Sequence, residues 1–138
     1  MKLSRHDVQK LEDYWRNIED YKTRLRHRER DLIEGWIETD TNQGGGKANH
    51  ISDQTGNKAA ILADDAYYQT LKRIVHTIET MYPKLTHRQK TIVDMKYFEK
   101  TDCYVWQDVA KELNISVQQV LKIRNNLIDE TAIRLGFA

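Results

Sequence analysis

The sequence contains a single cysteine, Cys103, and a single proline, Pro83, in 138 residues. One cysteine excludes an internal disulfide framework and suits a reducing cytosol. One proline leaves almost the whole chain without the main breaker of helix interiors. Long apolar runs are missing, so no signal peptide or membrane span is expected; the reading is a soluble, cytoplasmic chain with no membrane partner. Strict apolar–polar alternation carried by β-branched residues is missing as well, which leaves an all-α fold. Nor is there an excess of charge: 22 Lys+Arg stand against 21 Asp+Glu, a net charge of +1. A polyanion partner must therefore be argued from local placement and not from bulk electrostatics.

Hydrophobic residues make up 39% and charged residues 31% of the chain, lean for one compact core but above a disordered composition. A small core with long, partly exposed helices accounts for that balance. The first helix is expected at about 4–34, where Val8, Leu11, Trp15, Ile18, Leu25 and Leu32 fall at spacings of three, four or seven. Ser4 and Asp7 form the S-x-x-D pattern that caps such a helix. Arg24, Arg26, Arg28 and Arg30 lie between the apolar positions, with Glu29 and Asp31 among them. The interleaved acids favour a solvated, salt-bridged face over a phosphate-facing stripe.

Glycine is also scarce, and five of its six copies (Gly35, Gly44, Gly45, Gly46 and Gly56) fall within 35–57. With the many Asn, Asp, Ser and Thr there, a long Gly-rich loop is expected over 35–57. Gly46-Lys47 has no preceding strand, no following Ser or Thr and no earlier glycine at the right spacing, which argues against a nucleotide-binding loop. A second helix is expected over 58–81, with Tyr67, Leu71, Ile74, Ile78 and Met81 as a short a/d seam. That seam has to bury itself on the first helix as a hairpin, on a second copy of the chain, or on both. Pro83 then sets a boundary. The reading is a helical hairpin or coiled-coil-like region at 1–82, for dimerisation or partner contact, followed by a separate domain at 83–138.

Signals tighten in the second part. Thr86-His87-Arg88-Gln89 is a T-x-x-Q capping box opening a helix that carries Ile92, Val93, Met95, Tyr97 and Phe98. Lys100-Thr101-Asp102 makes a turn, and a short helix follows with Trp106, Val109, Ala110 and Leu113 inward. Ala110 is small enough for two helices to approach closely. Four residues on, Asn114 can adopt the left-handed conformation a tight turn needs. Ser116 and Gln119 form another capping box, and Val117, Val120, Ile123 and Leu127 hold the last helix inward. This set of residues at these spacings points to a helix-turn-helix at 83–138.

The face left outside carries Gln118, Gln119, Lys122, Asn125 and Asn126, with no acid among them. Gln and Asn suit an adenine edge and Lys suits guanine or phosphate, so these five are the candidate base readers. A plain solvated helix is the alternative, but such a face usually mixes in Glu or Asp. Thr86, His87, Arg88, Ser116 and Arg124 are the candidate phosphate contacts, all but Arg124 at two helix N-termini that favour anions. His6, His27, His50, His76, His87 and Cys103 lie too far apart for a zinc-ligand spacing. Asp64 and Asp65 are expected to be helical neighbours whose side chains diverge, and no nucleophile–base arrangement emerges. No metal, cofactor or enzymatic activity is expected.

The tract Gly35-Trp36-Ile37-Glu38-Thr39-Asp40-Thr41-Asn42-Gln43-Gly44-Gly45 resembles the W-I-x-T-D-T-N-x-G-G signature of the RinA family of phage late transcription activators. The related ArpU group has a similar C-terminal end. Leu85-Thr86-His87-Arg88-Gln89, with Trp106-Gln107-Asp108-Val109-Ala110-Lys111-Glu112-Leu113 before the turn, is similar to the last DNA-binding region of sigma factors. The resemblance implies a phage- or prophage-encoded activator, acting in a bacterial host on double-stranded DNA near a late promoter. It would switch on packaging, morphogenesis and lysis genes, with host RNA polymerase a candidate partner. Trp36, Thr39, Asp40, Thr41 and Asn42 either cap and anchor a loop or contact DNA or polymerase. One small motif reads few base pairs, so a homodimer on paired half-sites is expected. The alternative from another class is a small terminase subunit, a packaging factor that also combines a helix-turn-helix with coiled-coil elements. An interaction protein with a degenerate, non-binding motif is the third reading.

Overall fold

A computed structural model describes residues 2–42, 57–101 and 103–137, with the main chain alone for 36–42. The described residues are helical, with no strand among them. Helix α1 is Arg5–Arg16 and α2 is Ile18–Asn42. Helix α3 covers 57–64 and α4 is Ala66–Met81. A 3₁₀ turn, Tyr82–Lys84, leads to α5, His87–Ile92, which runs on as a π-helix over Val93–Phe98. Helix α6 is Trp106–Leu113 and α7 is Val117–Leu135.

Two compact units are formed, one from 1–19 with 74–138 and the other from 20–73. The boundary expected at Pro83 is therefore not an edge of the first unit, because α1 and the end of α4 belong to it. The physical reason is core size: helices α5 and α6 are short, and Leu11, Trp15, Ile78 and Met81 supply apolar volume that they and α7 lack. Around Ile92, Val93, Tyr97, Val109, Val120, Leu127 and Ile128, these side chains bury to 2% exposure or less. Fully burying each large side chain contributes about 1.5–3 kcal/mol. The only polar side chain buried there beside Thr77 is Thr131 among the described residues. Its hydroxyl donates to the Leu127 carbonyl at 2.8 Å and accepts from Trp15 Nε1 at 3.0 Å, so the indole N–H enters the core satisfied.

Two expectations for the first part of the chain are revised. The first helix is two helices: the Ser4–Asp7 capping box forms as expected, but α1 stops at Asn17, whose side chain bonds back to Asp13. Helix α2 then runs through Gly35 to Asn42, so the loop does not begin at 35 and the Trp36, Thr39, Asp40, Thr41 and Asn42 stretch is helical. Interior glycine costs a helix only about 1 kcal/mol, too little by itself to end one. Residues 43–56, with most of the expected loop, lie outside the described residues, as does Asp102.

In the second unit, Asp65 interrupts the expected 58–81 helix. Its carboxylate accepts the Tyr68 amide at 2.7 Å, capping α4, and takes both Arg28 nitrogens, Nη2 at 2.7 Å and Nε at 3.0 Å. The Arg28 guanidinium, with the Tyr68 amide, holds the Asp65 carboxyl below its ordinary range. Arg24 pairs with Asp20 at 2.7 Å and Arg26 donates to Thr23, consistent with a salt-bridged face. The seam is also corrected. Leu71, Ile74, Ile78 and Met81 are buried, whereas Tyr67 is 49% exposed and Tyr68, at 7%, takes its place.

Candidate nucleic-acid interface

Local chemistry fixes the start of each C-terminal helix. Thr86 Oγ1 accepts the Gln89 amide at 3.2 Å while Gln89 Oε1 accepts the Thr86 amide at 3.0 Å. Val105 has no side chain able to cap α6, so Asp108 Oδ2 reaches back to the Val105 amide at 2.8 Å. Lys96 braces the segment before α6: its ammonium lies 5.0 Å over the Trp106 ring and donates to the Tyr104 carbonyl at 2.9 Å.

Helix α6 ends at Asn114, with φ 58° and ψ 43°, the only left-handed non-glycine among the described residues. The Ile115 amide closes back on the Ala110 carbonyl at 3.1 Å. Helix α7 therefore starts within four residues of the end of α6 and packs against it, and Ala110 is 6% exposed. Ser116 then caps α7, with its hydroxyl on the Gln119 amide at 3.1 Å and Gln119 Oε1 on its own amide at 3.0 Å. The expected small residue, turn residue and capping box are all present.

Side chains on α7 separate as the sequence suggests. Val120 and Leu127 are fully buried, Val117 and Ile123 half-buried, and Gln118, Gln119, Lys122, Asn125 and Asn126 all exposed. At 100° per residue those five span about 120° of the helix surface. No acid occurs on that arc between Val117 and Asn126; Asp129, one turn beyond Asn125, lies on the same side of the helix. Ser116 is exposed at the amide end of α7, and Thr86, His87 and Arg88 are exposed at the amide end of α5.

Arg124 is placed differently from expectation. Its Nη1 lies 3.3 Å from Glu12 Oε2, its guanidinium lies 5.4 Å over the Trp106 ring, and its side chain is 20% exposed. A guanidinium committed on two sides is a poor phosphate contact, so Arg124 is a bracket between α1, α6 and α7. Glu12 also accepts from the Tyr97 hydroxyl at 2.7 Å, with Arg16 5.6 Å over the Tyr97 ring. Burial, reinforced by Glu12, pushes the Tyr97 phenol well above its ordinary value, keeping it a proton donor. Glu12 and Tyr97 carry no sequence signal for this role, since 85 residues separate them and 112 separate Glu12 from Arg124. The side chains of Trp36, Thr39, Asp40, Thr41 and Asn42 lie outside the described residues.

Among the described residues no group of three or more His, Cys, Asp or Glu is arranged to hold a metal ion, and no helix is long and apolar enough to cross a membrane. No curated protein and no solved structure matches the chain. A family described as protein of unknown function (DUF722) matches residues 6–132, from α1 through most of α7. The matched stretch therefore takes in both the bracket on α1 and the exposed arc on α7, and the chain belongs to the DUF722 family.

Proposed function

We propose that this protein is a sequence-specific DNA-binding transcription activator, with α6 and α7 as a helix-turn-helix and α7 as its reading helix. One observation carries the reading: an exposed arc of Gln118, Gln119, Lys122, Asn125 and Asn126, free of acids as far as Asn126, on a helix fixed by a left-handed turn at Asn114. Amide and ammonium side chains are the groups that match base edges in the major groove. Ser116, Thr86, His87 and Arg88, at two helix N-termini, suit the flanking phosphates. The activator role, and late phage genes as its target, rest on the resemblance of the 35–45 tract to the RinA signature. DNA is the partner, with no cofactor and no enzymatic step, in the cytoplasm of a bacterial host. A near-neutral chain gains little from bulk attraction, so two copies on paired half-sites supply the specificity, through a surface other than the buried α4 seam.

Footprinting on DNA around the promoter of late genes, followed by titration of wild type, Gln118→Ala and Lys122→Ala, tests the reading. The wild type protects one site. Each variant keeps its helical circular dichroism and loses about 1–3 kcal/mol of preference for that site over random DNA. Unchanged preference in both variants would remove α7 as the reading helix.

A further inference from the structure

A side-chain amide is ordinarily ambivalent, because its oxygen accepts, its nitrogen donates, and the two together match an adenine edge. In Asn125 the balance is tilted, because its oxygen is already engaged. Arg124 Nε donates to Asn125 Oδ1 at 2.8 Å, which turns the oxygen of this exposed residue towards a cation. The cation is itself held. Glu12 Oε2 takes Arg124 Nη1 at 3.3 Å, the Trp106 ring lies beneath the guanidinium at 5.4 Å, and Tyr97 OH fixes Glu12 at 2.7 Å. The side chains of Arg124 and Glu12 are only 20% and 15% exposed, so this bracket is a partly desolvated assembly and not a mobile surface pair. The amide thus presents its nitrogen end, two N–H donors beside a fixed positive charge.

We infer that Asn125 reads as a donor, oriented by Arg124 and Glu12 as positioning residues, and that it selects guanine against adenine. The inference rests on α7 reading DNA. Guanine places two acceptors, N7 and O6, side by side on its major-groove edge, complementary both to a donor pair and to nearby positive charge. Adenine keeps the N7 acceptor but places an amino group beside it, and cytosine offers an amino group alone, donor against donor and towards the guanidinium. Thymine offers one acceptor next to a methyl group. The four amides on the arc are therefore not equivalent, and Asn125 departs from the adenine match that its residue type suggests.

Selection from a randomised duplex library by the full-length wild type, Asn125→Ala and Arg124→Met tests this. The expected result is one position whose preference disappears in Asn125→Ala. In the wild type that position is guanine, favoured over adenine by about five- to 150-fold. In Arg124→Met it shifts towards adenine, while positions read by Gln118 and Lys122 keep their bases, which a general loss of structure would not produce. If Arg124→Met unfolds by stranding the Glu12 carboxylate, the pair Glu12→Gln with Arg124→Met removes that charge and gives the same readout. Adenine at the wild-type position, no position lost in Asn125→Ala, or guanine retained without Arg124 overturns the inference and leaves DNA reading by α7 intact. No sequence enriched by the wild type overturns DNA reading itself.

Discussion

Trp15 and Thr131 lie 116 residues apart in the chain and meet in the core, with Trp15 Nε1 donating to Thr131 Oγ1 at 3.0 Å. Both side chains are fully buried. The contact ties the N-terminal helix to the C-terminal part of α7, so the helix carrying the exposed arc is anchored from outside its own neighbourhood.

Thr131→Val keeps the shape and deletes the acceptor, leaving the Trp15 N–H buried and unsatisfied. It should lower stability by about 1–3 kcal/mol, and Thr131→Ser should recover most of that loss. Denaturant unfolding followed by Trp fluorescence measures both. Equal stability of Thr131→Val and wild type would show that the indole N–H is solvated, contrary to its burial.

Asn114 sits at positive φ, where glycine is free of strain and a β-branched residue is not. Asn114→Gly should therefore stay within a few tenths of a kcal/mol of wild type, and Asn114→Val should lose about 1–2 kcal/mol. Thermal melts of the two variants decide it, and the reverse order would be incompatible with a left-handed turn at this residue.

The Asp65 carboxyl is held below its ordinary value, chiefly by Arg28 and next by the Tyr68 amide. A carboxyl whose pKa falls on folding contributes stability that is present above the unfolded value, about 3.9, and is lost as pH drops through the folded value. Asp65→Asn keeps a side chain able to cap α4 but discards the charge. It should be less stable than wild type at pH 7, and the difference should close in acid. Unfolding measured between neutral pH and pH 3 checks this, and parallel pH profiles would count against the Arg28 pairing.

Arg88 is exposed at the start of α5, beside the amide end of that helix. If it meets a phosphate, Arg88→Ala weakens binding to all duplexes alike and reduces the salt slope by about one, without changing which sequence is preferred. Binding titrations at several salt concentrations separate this from the sequence-selective losses expected at Gln118 and Lys122. A change of preferred sequence in Arg88→Ala would mean that it reads bases.

Much of the local architecture is legible before folding is considered. The Ser4–Asp7, Thr86–Gln89 and Ser116–Gln119 boxes and the left-handed Asn114 all appear where residue type and spacing predict them. Each needs groups only three or four residues apart, so the chain's local geometry is enough to bring them together. Periodicity does less well between neighbours. It favours Tyr67 for the α4 seam, but the new helix start at Asp65 sets the phase that buries Tyr68. The end of α2 is misread for a related reason, because one glycine at 35 is a weaker signal than the helix running through it.

The sequence by itself determined an all-helical chain, the caps and turn that start α7, and the arc of amides and one lysine that the first half of α7 presents. Those properties follow from short-range hydrogen bonding and from which faces are apolar. Only the tertiary structure decided that α1 completes the core around Trp15 and Thr131, that the α4 seam is consumed inside the chain, and that Arg124 turns inward to Glu12 and Trp106. Such outcomes depend on residues far apart in sequence competing for the same buried space. A charge leaves solvent only where the fold delivers an opposite charge to meet it.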